Sequence, residues 1–414
     1  MFRHFAVVIG LCACAAEDPS EELGSIAQHA SFAFQREHVV DDIYHYELVL
    51  PVGSEPNAAV RVHRVVRELA PWVPRPSPHA VMMLHGDFTT FQTNFAPTLG
   101  QPASPASGLA PYLAAQGIDV WGTDRRWTLP APEDDVSDFV TMGLAQEIDD
   151  LRIALSVARA VRLAGGSGGG KLALVGFSHG AQLAYHYAAV EGGRPAPQRH
   201  VDAVVPLDFF GAYGPEQAAE QAAACTNSAL GYEYVAQGFI DSDNSFQILV
   251  GELARTAPDE LSPINPALTN RGMMLRLVGE TWRIVPITPT YQLLTPILDG
   301  ETAIGLAETS ETAAIAWLEG SPYHQAFLET VDFDAMLCGE NPPVDAPLSQ
   351  VRVPLLYIGA SNGVGELGVY TTTQVSSSDV TSMVVPGFGH ADLLFAETAE
   401  VLAWQPLAAW LVTR

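Results

Sequence analysis

Six short, almost uninterrupted apolar runs constrain this chain more than any other feature: residues 79–84, 118–121, 172–177, 201–207, 354–358 and 382–385. Each is too short for a packed helix and too apolar for a strand with one wet face. Runs of that kind suit strands buried on both sides, as in a parallel sheet covered by helices. Helical patterns lie between them. Residues 109–116 form one. Residues 142–163 form a longer one, with Leu144, Ile148, Leu151 and Leu155 on one face and Glu147, Asp150 and Arg152 off it. A third follows Ser178 through Ala181, Leu183, Ala184 and Ala188. This βαβα alternation with right-handed crossovers predicts an α/β fold, a mostly parallel central sheet flanked by helices. Two partly alternating runs, 43–50 and 59–66, suit an antiparallel pair at its edge.

The rhythm stops after Leu207. Residues 211–347 carry alanine-rich helical stretches, prolines and scattered aromatics, including Tyr234, Trp282, Tyr291, Trp317 and Tyr323. So long a segment between two core strands is an inserted, mainly helical cap, and the core is then 39–210 together with 348–414. At the other end, Arg3 precedes an apolar stretch over residues 5–13 that is too short to span a bilayer. It has the form of an export signal over residues 1–16. Leu11-Cys12-Ala13-Cys14 resembles a bacterial lipobox, with Cys14 the residue to be lipidated, and plain cleavage near Ala16 is the alternative. Residues 17–38 then form a polar tether. Export would leave Cys225 and Cys338 in an oxidising compartment, where the two are expected to pair.

Charge excludes several functions. With 20 Lys and Arg against 47 Asp and Glu, the formal net charge is −27. Nucleic-acid binding needs a basic face, and an anionic lipid surface would repel this chain. The twelve histidines show no metal-ligand spacing, and neither CxxC nor HExxH occurs, so no metal is expected. Two glycine-rich segments imitate nucleotide sites. Residues 165–171 match GxxxxGK but precede a strand and lack the following Ser or Thr; residues 363–368 match GxGxxG with too little chain after them for a dinucleotide half-domain. No cofactor is expected.

Gly176-Phe177-Ser178-His179-Gly180 is the strongest chemical signal. It is a GxSxG motif directly after the run 172–177 and directly before a helical pattern. Small flanking residues permit the sharp turn that lifts a serine hydroxyl above the sheet. His85-Gly86-Asp87-Phe88 ends an earlier buried run, where the backbone N–H of Asp87 could join that of His179 in stabilising a developing oxyanion. Only those backbone positions are implicated; the side chains of His179 and His186 read as packing or surface groups. Gly387-Phe388-Gly389-His390 follows the last run, and His390 is the side chain suited to accept a serine proton near neutral pH. Asp392 reads as a helix N-cap.

With these residues in view, the chain resembles the α/β-hydrolase-fold serine hydrolases of the lipase and carboxylesterase kind, over residues 40–414 apart from the cap. The resemblance implies a triad in the order Ser178, acid, His390. It also implies an acyl-enzyme, a small-molecule or lipid ester as substrate, and a structural role for Asp124 in the Asp124-Arg125-Arg126 turn. The acid departs from the commonest pattern. The turn after 354–358 offers neutral Asn362 where an Asp is often found, with Glu366 further along. The alternative strand end, 201–207, runs into Asp208, which a regular strand would hold in place; Asp208 is therefore the expected acid and Glu366 the alternative. Phe88, Phe91 and Phe95 suit either an acyl pocket or the core. An amidase or peptidase would share this chemistry, and an inactive surface binding protein would share only the fold.

Overall fold

The protein is described by a computed structural model covering residues 34–99, 107–281 and 291–414. The export signal with Cys14, most of the tether, and Trp282 lie outside the described residues.

The strands are β1 (Phe34–Val40), β2 (Ile43–Pro51), β3 (Ala59–Ala70), β4 (Val73–Pro74), β5 (Ala80–Leu84), β6 (Asp119–Asp124), β7 (Leu172–Phe177), β8 (Val201–Leu207), β9 (Pro296–Asp299), β10 (Thr302–Leu306), β11 (Leu355–Ala360) and β12 (Val380–Val385). Ten of them form one sheet in the order β1-β2-β3-β6-β5-β7-β8-β11-β12, with β4 attached to β3. From β6 to β12 every pairing is parallel, and from β1 to β6 every pairing is antiparallel. The pair foreseen at the edge is β2–β3, but the edge itself is β1. No residue of β1 is fully buried, so it carries no apolar alternation by which it could be read.

Every residue of β5, β6, β7 and β11 is buried. Helices cover the sheet: α1 (Phe91–Phe95), α2 (Leu109–Ala115), α3 (Leu144–Ala164) and α4 (His179–Gly192). Side chains alternate across a strand with period two. Val81 and Met83 therefore pack with Phe91, Phe95 and Leu113, while Met82 and Leu84 pack on the other face with Leu151, Leu155 and Leu183. Phe91 and Phe95 are 0% exposed, which makes them core; Phe88 alone of the three stays partly accessible.

Between β8 and β11 lie α5 (Ala218–Ala236), α6 (Ser245–Thr256), α7 (Asn270–Gly279), the β9–β10 hairpin, α8 (Glu311–Glu319) and α9 (Phe327–Cys338). A Cys225–Cys338 disulfide joins α5 to the last residue of α9 across a separation of 113 residues. A Cβ at Gly231 would sit 2.5 Å from Val331 Cγ2, so glycine there lets α5 and α9 approach. The chain closes with α10 (Gly365–Thr372), α11 (Asp392–Phe395) and α12 (Gln405–Leu411).

Candidate active site

Ser178 caps α4 with φ +56° and ψ −130°, a conformation that costs a non-glycine residue on the order of 1–3 kcal/mol. The flanking glycines make it possible. A Cβ at Gly176 would lie 2.1 Å from the carbonyl oxygen of Gly180, one at Gly180 2.2 Å from that of Leu84, and one at Gly86 2.9 Å from the Ser178 Cβ. No larger residue fits at those three positions without moving backbone. The Ser178 carbonyl accepts from the Ala181 and Gln182 N–H groups at 2.8 and 3.3 Å. The N–H of His179, in the first turn, has no partner within the helix and adds to its positive end.

β8 lies beside β7, and its last residue, Leu207, accepts from the Ser178 N–H at 3.1 Å. The next residue, Asp208, is 0% exposed. Its Oδ1 accepts from Ala360 N–H at 2.7 Å, and its Oδ2 accepts from Val364 N–H at 3.2 Å and from His390 Nδ1 at 2.7 Å. A carboxylate can only accept here, so Nδ1 carries a proton, and in the neutral imidazole Nε2 then keeps a lone pair. A Cβ at Gly363 would stand 2.0 Å from Asp208 Oδ2; part of the nucleotide-like glycine pattern is thus explained by the room this carboxylate needs. The structure brings Asp208 to His390, while Glu366 is exposed in the first turn of α10. Asn362 does something else: it donates Nδ2 to Gly387 O at 3.0 Å and its N–H to Phe388 O at 2.8 Å, bracing the loop that ends in His390.

The insertion holds that loop from the other side. His390 and Ala391 N–H groups donate to Gln292 and Leu293 carbonyls, each at 2.8 Å. Asp392 is not the N-cap expected of it, since the cap position belongs to Ala391. Its carboxylate instead accepts from Gly389 N–H at 2.8 Å, Thr295 N–H at 2.9 Å and Thr309 Oγ1 at 2.7 Å, tying the histidine loop to the insertion. Around the imidazole stand the rings of Phe177 at 4.6 Å, Tyr291 at 5.1 Å and Phe209 at 6.3 Å. Burial, with Asp87 and Asp208 adding to it, pushes the Tyr291 phenol up.

The turn after β5 is built as tightly. His85 is fully buried, and burial, reinforced by Arg125, pushes its imidazole down to about 3, so it is neutral. Its Nδ1 meets the Gly86 carbonyl at 2.8 Å and must be the donor, which leaves Nε2 to accept from Arg125 N–H at 3.3 Å. Thr89 Oγ1 donates to the same carbonyl at 2.9 Å. Across a trans peptide the N–H points opposite to the carbonyl, which directs the Asp87 N–H away from His85 and Thr89. Among the described residues it has no protein hydrogen-bond partner.

Two side chains here escaped the sequence reading. His179 is not a bystander, because its Nδ1 meets Asp87 Oδ2. Burial works against both charges, but their mutual attraction and hydrogen bond, with Glu329 also favouring the imidazolium and Arg125 and Gln325 the carboxylate, leave His179 raised from its ordinary value and Asp87 lowered. Gln325, from the loop before α9, donates Nε2 to Asp87 Oδ1 at 2.7 Å and accepts from Phe88 N–H at 2.8 Å. Behind them, Arg125 donates Nη2 to His85 O at 2.9 Å and Nη1 to Glu329 of α9.

Compared with solved structures, the chain superposes on one from Sulfolobus solfataricus, described as a "putative lipase", with a TM-score of 0.66 at 15% identity, over 93% of this chain and 99% of that one. The chain has the α/β-hydrolase fold. Other structures of this fold align more loosely. A soluble variant of monoglyceride lipase from Saccharomyces cerevisiae gives a TM-score of 0.46 at 13% identity over 93% and 96% of the two chains. A cold-adapted esterase from an Arctic intertidal metagenomic library gives 0.42 at 12% over 93% and 99%. No protein-family model and no curated protein sequence matches the chain. In α/β-hydrolase terms, Ser178, Asp208 and His390 lie on or just beyond the C-terminal ends of β7, β8 and β12, the edge where open α/β sheets bind ligands.

Proposed function

We propose that this protein is a serine hydrolase that cleaves carboxylic esters. The observation that carries the reading is the buried 2.7 Å bond from His390 Nδ1 to Asp208, beside a serine on a strained turn. It leaves Nε2 as a base. Ser178 Oγ attacks the acyl carbonyl while His390 Nε2 takes its proton. The Asp87 and His179 N–H groups receive the oxyanion. His390 then protonates the departing alkoxide, and the acyl-enzyme remains. Water, deprotonated by the same nitrogen, releases the acid. The likeness in fold to a structure described as a putative lipase supports a small-molecule or lipid ester as substrate. p-Nitrophenyl esters of increasing chain length, run beside matched amides, test the class: ester turnover lost in Ser178→Ala is the expected result, and turnover of amides alone would move the enzyme to the amidases. A fluorophosphonate that fails to label Ser178 would overturn the nucleophile.

We also propose export with a lipid on Cys14, supported by the Leu11–Cys14 pattern and by a disulfide that suits an oxidising compartment. Intact-mass measurement of the native protein should find the acyl group. A mature chain starting elsewhere without it would refute lipidation.

A further inference from the structure

We propose that Gln325, a residue of the insertion, is a positioning residue that sets the oxyanion turn of the core. The inference rests on the ester-hydrolase reading above and adds a device to it.

Gln325 is 0% exposed, and both ends of its amide are used on that turn. Its orientation is unambiguous: the Phe88 N–H can only donate and the Asp87 carboxylate can only accept, so the amide oxygen faces Phe88 and the amide nitrogen faces Asp87. Phe88 has φ +52°, in the left-handed region that a bulky residue enters only when its surroundings hold it there. The turn therefore needs an external restraint, and Gln325 supplies one to each of its two residues. Gln325 is itself anchored. Its N–H donates to Asp241 Oδ1 at 3.1 Å, and its carbonyl accepts from Ser242 N–H at 2.8 Å, both within the insertion.

The other Asp87 oxygen meets His179, the residue next to the nucleophile. The carboxylate thus spans from the insertion to the nucleophile turn, and its own N–H is the group that receives the oxyanion. Removing Gln325 frees the carboxylate on one side and leaves the part-buried Phe88 N–H without its partner. The donor should then drift while the pocket that binds the ground state is little altered. Misplacement by about 1 Å costs roughly 10²-fold in rate, so the loss should fall in kcat.

The test compares the whole chain with Gln325→Ala and Gln325→Glu, using p-nitrophenyl butyrate turnover and inhibition by a phenylboronic acid, which forms a tetrahedral adduct on the serine. Gln325→Ala should lower kcat by roughly 10–100-fold with KM changed less than about threefold, and weaken the boronate by a similar factor. Should that variant fail to fold, Gln325→Glu keeps the size and the acceptor for Phe88. It faces Asp87 with a carboxyl that can donate only when protonated, so its activity relative to wild type should be highest at low pH and fall as pH rises. Wild-type kcat retained in Gln325→Ala, or a kcat loss with boronate affinity unchanged, overturns the assignment; for Gln325→Glu, a pH profile parallel to wild type does so. Failure of the underlying reading looks different: wild type itself would then show no ester turnover that Ser178→Ala removes.

Discussion

Two carboxylate–imidazole pairs adjoin the turn that carries Ser178, His390 packing on Phe177 and His179 being the next residue, and they are built in opposite ways. In Asp208–His390 the carboxylate is fixed by the core: the aspartate directly follows β8, and backbone N–H groups at and just beyond the end of β11 hold both its oxygens. Asp87–His179 has no backbone donor on its carboxylate among the described residues, and depends on the insertion through Gln325. In the first pair the imidazole keeps a nitrogen with a lone pair and can shuttle a proton. In the second, His179 is raised and Asp87 lowered, so the surroundings favour the ionised pair, a dipole beside the proposed oxyanion site. On the proposed mechanism, the first pair moves the proton and the second shapes the place where charge develops.

The sharpest way to break this division is to remove its members in turn. Ser178→Ala should cost roughly 10⁶-fold in kcat while folding is kept; circular dichroism and burst labelling check both. Asp208→Asn should cost roughly 10⁴-fold, with substrate binding little changed, because Nδ1 loses the partner that fixes its tautomer. Glu366→Gln should leave turnover near wild type. The reverse result would move the triad acid to the exposed α10 site.

Substituting the second pair should cost less. His179→Gln keeps the backbone N–H and loses only the imidazolium, so kcat should fall about 10-fold, below the 10²–10³-fold typical of deleting an oxyanion donor. The pH dependence has a definite sign. A histidine raised on folding contributes stability that is complete below its ordinary value and lost as pH rises through the raised one. An aspartate lowered on folding contributes stability present above its ordinary value and lost as pH falls through the lowered one. As pH rises from the ordinary histidine value of about 6.5 through the raised one, the wild-type melting temperature should therefore decline relative to that of His179→Gln. Parallel melting curves for the two proteins would show that the pair is not ionised.

The contrast between the pairs also explains what could be read from sequence. The first was legible because its parts are local. An apolar run predicts a buried strand, a strand end fixes the residue after it, and Ser178, Asp208 and His390 all stand at or just past such ends. The glycines around Ser178 were legible for the same reason, as steric necessities of one turn. The second pair was half legible: the backbone of Asp87 and His179 followed from the turn, but their side chains did not. Gln325 lies 238 residues from Asp87, and Glu329 lies 204 from Arg125, within a segment whose helices carry no strand–helix rhythm. Nothing local marks a lone Gln as the partner of a distant carboxylate. A signal for His179 was present, since a histidine directly after the nucleophile faces whatever the oxyanion turn presents, and that turn presents an aspartate. Asp392 shows the converse error. Local pattern suggested a cap, whereas its partners Thr295 and Thr309 come from the insertion.

A small expected effect on turnover comes from the bond that most constrains the insertion. The Cys225–Cys338 link spans 113 residues; a disulfide typically gives about 2–4 kcal/mol, and a loop of that size up to about 5 kcal/mol, through the restricted unfolded chain. Replacing both cysteines by Ala should lower stability by about that amount in a denaturant titration. It should change kcat by less than about twofold, because the link joins the far end of α9, at Cys338, while the contacts that matter for the oxyanion turn gather at its start. Glu329 there remains bound to Arg125 and to Trp127 Nε1, and Gln325 is anchored by Asp241 and Ser242 before the helix begins. A kcat loss of 10-fold or more in the Cys-free protein would mean that the clamp on Asp87 is set by the cross-link rather than by these hydrogen bonds, and the two pairs would then differ in covalent support as well as in chemistry.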